Sequence, residues 1–157
     1  MGRFLGIDEL ASFLGRRPRV LAWARADGDL VAGLLDGLAV RESGAWGFTP
    51  WDEIEHGGWD GRELSWRGGD GRRRTFALTA PGRLPELFHE RVQASILGQW
   101  PVRWDGGSAS VVLRRNPGLT DAPARWRVIA SPGVAVDGAP ARQAIAAAMR
   151  AGDWDIG

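Results

Sequence analysis

Residues Leu30 to Val40 read LVAGLLDGLAV: two apolar runs of strand length on either side of Asp36-Gly37. Asp-Gly is a hairpin pair, because Gly takes a positive φ without steric penalty and Asp tolerates one. The stretch therefore predicts two antiparallel strands, Leu30–Leu35 and Leu38–Glu42. The same punctuation recurs on both sides of it, at Asp27-Gly28, Ser43-Gly44, Asp60-Gly61 and Asp70-Gly71. These turns bound further strand candidates at Val20–Arg25, Leu64–Trp66 and Arg73–Leu78, with a longer irregular strand through Gly47–Trp59. Such regular spacing predicts an antiparallel meander.

Helical spacing brackets the meander. Ile7, Leu10, Phe13 and Leu14 recur at helical intervals between a candidate cap at Asp8 and a stop at Gly15. After Pro81-Gly82, the residues Leu84, Leu87, Phe88, Val92 and Ile96 mark one face of a helix ending near Gly98, with Pro85 suited to its first turn. Strand signals return at Pro101–Trp104, Ala109–Arg114 and Arg125–Ala130, and an Ala-rich helix runs from Pro140 to about Arg150. The expected organisation is an N-terminal helical segment (1–18), a strand-rich region with its helix (19–98), and further strands plus a terminal helix (99–157) packed on the same core. The expected fold class is α+β.

Composition removes several chemistries. The 157 residues contain no Cys, which excludes disulfide scaffolds, thiolate metal sites and Cys nucleophiles. The two His, His56 and His89, form no metal-ligand pair, and no Ser sits in a GxSxG elbow. No cofactor or metal is implied. The twenty basic residues are all Arg, and with nineteen acids they leave a net charge of +1, which argues against a nucleic-acid binder. No run reaches the length of a membrane span. Arg16-Arg17 is followed by charged residues instead of a leader's apolar run, and Gly6 stands where a myristoylation signal needs Ser or Thr. The expectation is a cytoplasmic protein.

Several segments resemble bacterial pleckstrin-homology-like and GRAM-type domains. Within LVAGLLDGLAV, Gly37-Leu38-Ala39-Val40 looks like that family's turn into a strand. FTPWDEIEHGGWDG is similar to its next strand, with Trp51 and Ile54 at the apolar positions. ELSWRGGDGRRRTFAL looks like its hairpin, and ELFHERVQASIL like its C-terminal helix. The layout as a whole also resembles a protein family of high-GC bacteria. The resemblance implies an antiparallel β-barrel closed by the helix at Leu84–Leu97, and a binding module more than an enzyme. The lipid-binding members carry basic residues in the first hairpin loop. Here that loop is Ala26-Asp27-Gly28-Asp29, whose carboxylates repel phosphate.

Charge and aromatic residues supply the candidate site. Residues 1–60 hold six Arg and ten acids, whereas residues 61–157 hold fourteen Arg and nine acids. The basic excess is densest from Arg62 to Arg83, where Arg62, Arg67, Arg72, Arg73, Arg74 and Arg83 face only Glu63 and Asp70, and the first five fall on one predicted hairpin. Guanidinium forks there suit phosphates or carboxylates, although a charged strand edge that deters aggregation is the simpler reading. Nine Trp are present. Trp23, Trp66, Trp104 and Trp126 fall in strand patterns and are expected inside. Trp46, Trp51, Trp59 and Trp100 fall at strand ends and are expected at the rim, where Trp51 and Trp59 are candidate partner contacts. Asp52-Glu53-Ile54-Glu55-His56 gathers three carboxylates and an imidazole. Strand alternation would set Asp52, Ile54 and His56 on one side, and a polar strand edge is the simpler reading. The functional expectation is a non-enzymatic module that binds a protein or peptide. The alternatives are an anionic membrane contact through Arg62–Arg74, and a small-molecule pocket beside the C-terminal segment.

Overall fold

The computed structural model describes residues 4–156, with side chains through 153. It has α+β architecture, with three helices and three antiparallel sheets. The chain divides into two compact units, Met1–Ala94 with Asn116–Asp121, and Ser95–Arg115 with Ala122–Gly157.

The first unit opens with α1 (Ile7–Leu14), whose C-terminus is capped by Gly15 at φ 71°. The cap at the other end is Gly6, and Asp8 lies inside the first turn, where its charge favours the helix dipole. Strands β1 (Val20–Ala26), β2 (Asp29–Leu34), β3 (Gly37–Glu42) and β4 (Ala45–Pro50) form a sheet in chain order. Asp27-Gly28 and Ser43-Gly44 turn their hairpins with both residues at positive φ, whereas Asp36-Gly37 does so without one: Gly37 is the first residue of β3, and a Cβ on it would lie 2.5 Å from the Phe48 ring. A second sheet holds β5 (Glu55–Trp59), β6 (Glu63–Arg67) and β7 (Arg73–Ala77), also in order, and α2 (Leu84–Ala94) follows.

The four-stranded sheet is apolar on both faces, which is why Leu30–Val40 shows no alternation. Register sets Trp23, Ala32, Ala39 and Phe48 in one row. That row packs with Phe4, Leu10 and Leu14 of the N-terminal segment. Ala24, Val31 and Val40 face the other way, into a larger cluster with Leu64, Trp66, Phe76, Leu84, Leu87 and Phe88. Gly33 belongs here for a steric reason: a Cβ on it would lie 2.6 Å from Leu87 Cδ2.

The expected closed barrel does not form. Beyond β7 the chain returns to β1 and makes one bridge, Arg25 opposite Thr79, in which the Thr79 N–H donates to the Arg25 carbonyl at 2.8 Å. The ladder ends there because Ala80 and Gly82 take positive φ, at 48° and 52°, and Pro81 between them has no N–H. The two sheets of this unit therefore remain separate ladders.

The second unit contains β8 (Ile96–Trp104), β9 (Gly107–Arg114) and β10 (Arg125–Ala130), ordered β10-β9-β8, and α3 (Ala139–Ile156). Its cluster joins Val102, Val111 and Ile145 with Trp100, Trp104, Trp126, Ala144, Ala148 and Met149. Small residues on α3 let the helix lie against the indoles, and a Cβ on Gly152 would stand 2.5 Å from Trp126. The helix expected to reach Gly98 stops at Ala94, and β8 begins at Ile96. Gly98 is a strand residue beside a bulge, over which the Trp100 ring folds to 2.3 Å from where a Cβ would be. Its missing side chain thus serves packing and not helix termination.

Candidate functional site

The parting of the chain from β1 leaves a groove. It has a volume of about 460 Å³ and a mainly apolar lining that includes Trp23, Ala24, Arg25, Pro81, Gly82 and Arg83. β1 supplies one wall, because it is the outer strand of its sheet. Main-chain groups alternate sides along an antiparallel strand, so Trp23 turns its N–H and C=O to the same outer edge as Arg25. Continuing the Arg25–Thr79 register sets Pro81 opposite Trp23, and Pro81 has no N–H to offer that carbonyl. The Arg25 guanidinium lies 6.0 Å from the Trp23 ring centroid, a cation–π distance. At the far end Arg83 meets Glu86 at 3.8 Å, an exposed pair of little energetic weight.

A second groove of about 310 Å³ shares Trp23 and Arg25 with the first and reaches Phe4, Glu9, Asp29, Leu30 and Arg41. Here Phe4 sits between two indoles, at 5.6 Å from Trp23 and 6.4 Å from Trp46. Arg41 lies 6.0 Å from the Trp46 ring and pairs with Glu9 at 3.4 Å. A carboxylate already answers that arginine, whereas Arg25 has no ion pair among the described residues.

The five arginines of the basic hairpin do not converge on one point. Arg72, Arg73 and Arg74 line a polar groove of about 340 Å³ with Glu42. Arg74 pairs with Glu42 at 3.4 Å, and Arg73 donates to Ser65 Oγ at 3.3 Å. Arg67 stands opposite Arg73 on one side and Glu55 on the other. Arg62 lies at the other end of the hairpin, beside the Asp60 turn. There the backbone N–H groups of Glu63 and Arg62 donate to Asp60 Oδ1 at 2.6 and 2.8 Å. Those bonds, the Glu63 one foremost, hold the Asp60 carboxyl below its ordinary pKa.

The aromatic candidates separate. Trp51, expected at the rim, is fully buried, and its indole N–H donates to the Leu34 carbonyl at 2.9 Å. A 3₁₀ turn at Trp51–Glu53 breaks the long strand read through Gly47–Trp59 and swings this ring inward, edge-on to Phe88 at 6.1 Å. Trp59 is half-buried against the same cluster. Trp46 and Trp100 are half-buried as well, and Trp100 packs on Trp126 at 5.4 Å. The 3₁₀ turn also dissolves the alternation read through Asp52–His56. Ile54 is wholly buried, whereas His56 is exposed at φ 50°. Among the described residues no group of three or more His, Cys, Asp or Glu is placed to hold a metal ion. No described helix is long and apolar enough to cross a membrane.

The groove at Trp23 escaped the sequence reading, in which Trp23 was core and Pro81-Gly82 only a break. The usable signal was a Pro-Gly pair directly after a strand that must return to β1. Arg114 was also passed over. It is 3% exposed, and its Nε donates to the buried Ser95 Oγ at 3.0 Å, a pairing between residues 19 apart. Comparison with protein-family models, curated proteins and solved structures finds no match for this chain.

Proposed function

We propose that the chain is a non-enzymatic, cytoplasmic interaction protein whose first unit is a pleckstrin-homology-like module that binds protein or peptide. The observation that carries this is the apolar groove on the open edge of β1, where the chain leaves the ladder at Ala80-Pro81. A strand edge with unspent main-chain groups beside an apolar cleft is the apparatus of peptide capture by strand addition or side-chain insertion. The order of elements supports the family reading: four antiparallel strands, three more, then a helix packed into the core they share.

A second reading, contact with an anionic membrane, is favoured by the grouping of Arg72, Arg73 and Arg74 in one groove. Glu42 and Asp70 oppose it, since one pairs with Arg74 and the other anchors the Arg72 turn through its N–H at 3.0 Å. One pair of experiments separates the readings. Selection from a random displayed-peptide library on the purified chain is expected to enrich a shared motif, and co-sedimentation with phosphatidylserine vesicles is expected to fail at physiological salt. No enrichment, together with salt-sensitive sedimentation that an Arg72/Arg73/Arg74→Ala variant abolishes, overturns the peptide reading.

A further inference from the structure

Among the charged side chains lining the β1 groove there are two arginines and no carboxylate. Arg25 is exposed with its guanidinium 6.0 Å from the Trp23 ring centroid, and Arg83 follows Pro81-Gly82 along the opposite wall. Between them the lining is Trp23, Ala24, Thr79, Ala80, Pro81 and Gly82, a mainly apolar shelf whose side-chain polar groups are the Trp23 indole N–H and the Thr79 hydroxyl. The neighbouring groove shares Arg25 but is also lined by Glu9 and Asp29, with Glu9 paired to Arg41 at 3.4 Å, whereas the β1 groove's own lining holds no carboxylate and Arg83 meets Glu86 only in an exposed pair at 3.8 Å. A volume of about 460 Å³ lies within the range of sites that take small ligands or short peptide segments.

We infer that the groove binds an acidic peptide in extended form, with one apolar side chain lodged between Trp23 and Pro81 and flanking carboxylates on Arg25 and Arg83. This rests on the peptide-binding reading above and names its ligand class. Three features select that ligand. The apolar floor rewards a desolvated side chain. The outward main chain of Trp23 can accept from and donate to an extended backbone, and Pro81 has no N–H to donate to its carbonyl. The paired guanidinium groups favour carboxylates and repel a basic sequence.

The test uses fluorescein-labelled heptapeptides in polarisation titrations with the intact chain: Gly-Asp-Glu-Leu-Glu-Asp-Gly, the same peptide with Ala for Leu, and a basic counterpart with Lys and Arg for the acids. The acidic Leu peptide is expected to bind about tenfold or more tighter than either of the others. An Arg25→Glu/Arg83→Glu variant, folded by circular dichroism, is expected to lose that preference, and an Arg72→Glu/Arg74→Glu variant to keep it. The Trp23 indole N–H resonance, assigned by its loss in Trp23→Phe, is expected to shift on titration. Equal binding of acidic and basic peptides, no binding of the acidic Leu peptide, or loss of binding only in the Arg72/Arg74 variant overturns the inference. The general peptide reading falls separately, through the display selection: motifs that enrich there and ignore the Arg25/Arg83 variant leave it standing while this groove is refuted.

Discussion

Replacing Trp51 with Phe isolates one buried bond. The parent indole N–H donates to the Leu34 carbonyl at 2.9 Å in a region closed to water, and the ring is completely buried. Phe keeps an aromatic face toward Phe88 and removes the donor and part of the ring volume. Leaving a buried acceptor with one bond fewer costs about 1–3 kcal/mol. The vacated volume adds about 1 kcal/mol, since few neighbours collapse into a site braced by a 3₁₀ turn. The sum is about 2–4 kcal/mol, a large share of the roughly 5–15 kcal/mol that holds a domain folded. With a urea slope of about 2 kcal/mol/M, the midpoint of the first unit's transition moves down by about 1–2 M with the slope unchanged. The assay is urea unfolding followed by amide exchange at β2 and β3, which reports this unit alone. A midpoint within about 0.3 M of the parent refutes the reasoning, because it shows the indole bond to be dispensable.

Two further perturbations probe the frame. Gly118→Ala places a Cβ 2.1 Å from the Leu35 carbonyl oxygen, so the Asn116–Asp121 segment must lift and lose the Asn116 Nδ2 bond to the Asp36 carbonyl at 2.8 Å. A stability loss of about 1–3 kcal/mol is expected, and thermal unfolding unchanged to within about 1 °C contradicts it. Asp60→Asn tests the lowered carboxyl pKa. A folded value below the unfolded one contributes stability above about pH 4, lost as pH falls through the folded value, so the deficit of the variant is expected at neutral pH and to vanish in acid. Urea midpoints from neutral pH to about pH 2 check this, and a deficit that stays constant over the range refutes it.

Most strand positions between Val20 and Leu78 were legible because short apolar runs stand between turn pairs such as Asp27-Gly28 and Ser43-Gly44, but the run through Gly47–Trp59, which a 3₁₀ turn divides, was not. β10 and the start of α2 were legible for the same reason. Trp51 and Gly98 were misread because each looked like a local signal, a strand end and a helix stop. Trp51 in fact answers to a distant partner, Phe88, whereas Gly98 answers to the ring of Trp100 only two residues on, which folds over it at the bulge. The basic run Arg72–Arg74 was visible as charge, but its pairing with Glu42 joins strands of different sheets and leaves no trace in spacing.

Composition and turn chemistry alone settled the absence of thiol chemistry, the antiparallel habit of the strands and the class of the fold, since these depend on residue type and on neighbours a few positions apart. Whether the strands close into a barrel depended on residues 25 and 79–81 meeting in space. There a left-handed Ala80 and a proline without an N–H ended the ladder after one bridge and opened the groove beside Trp23. That outcome belongs to tertiary structure, because a hydrogen bond withheld from β1 is a property of the strand's partner as much as of the strand.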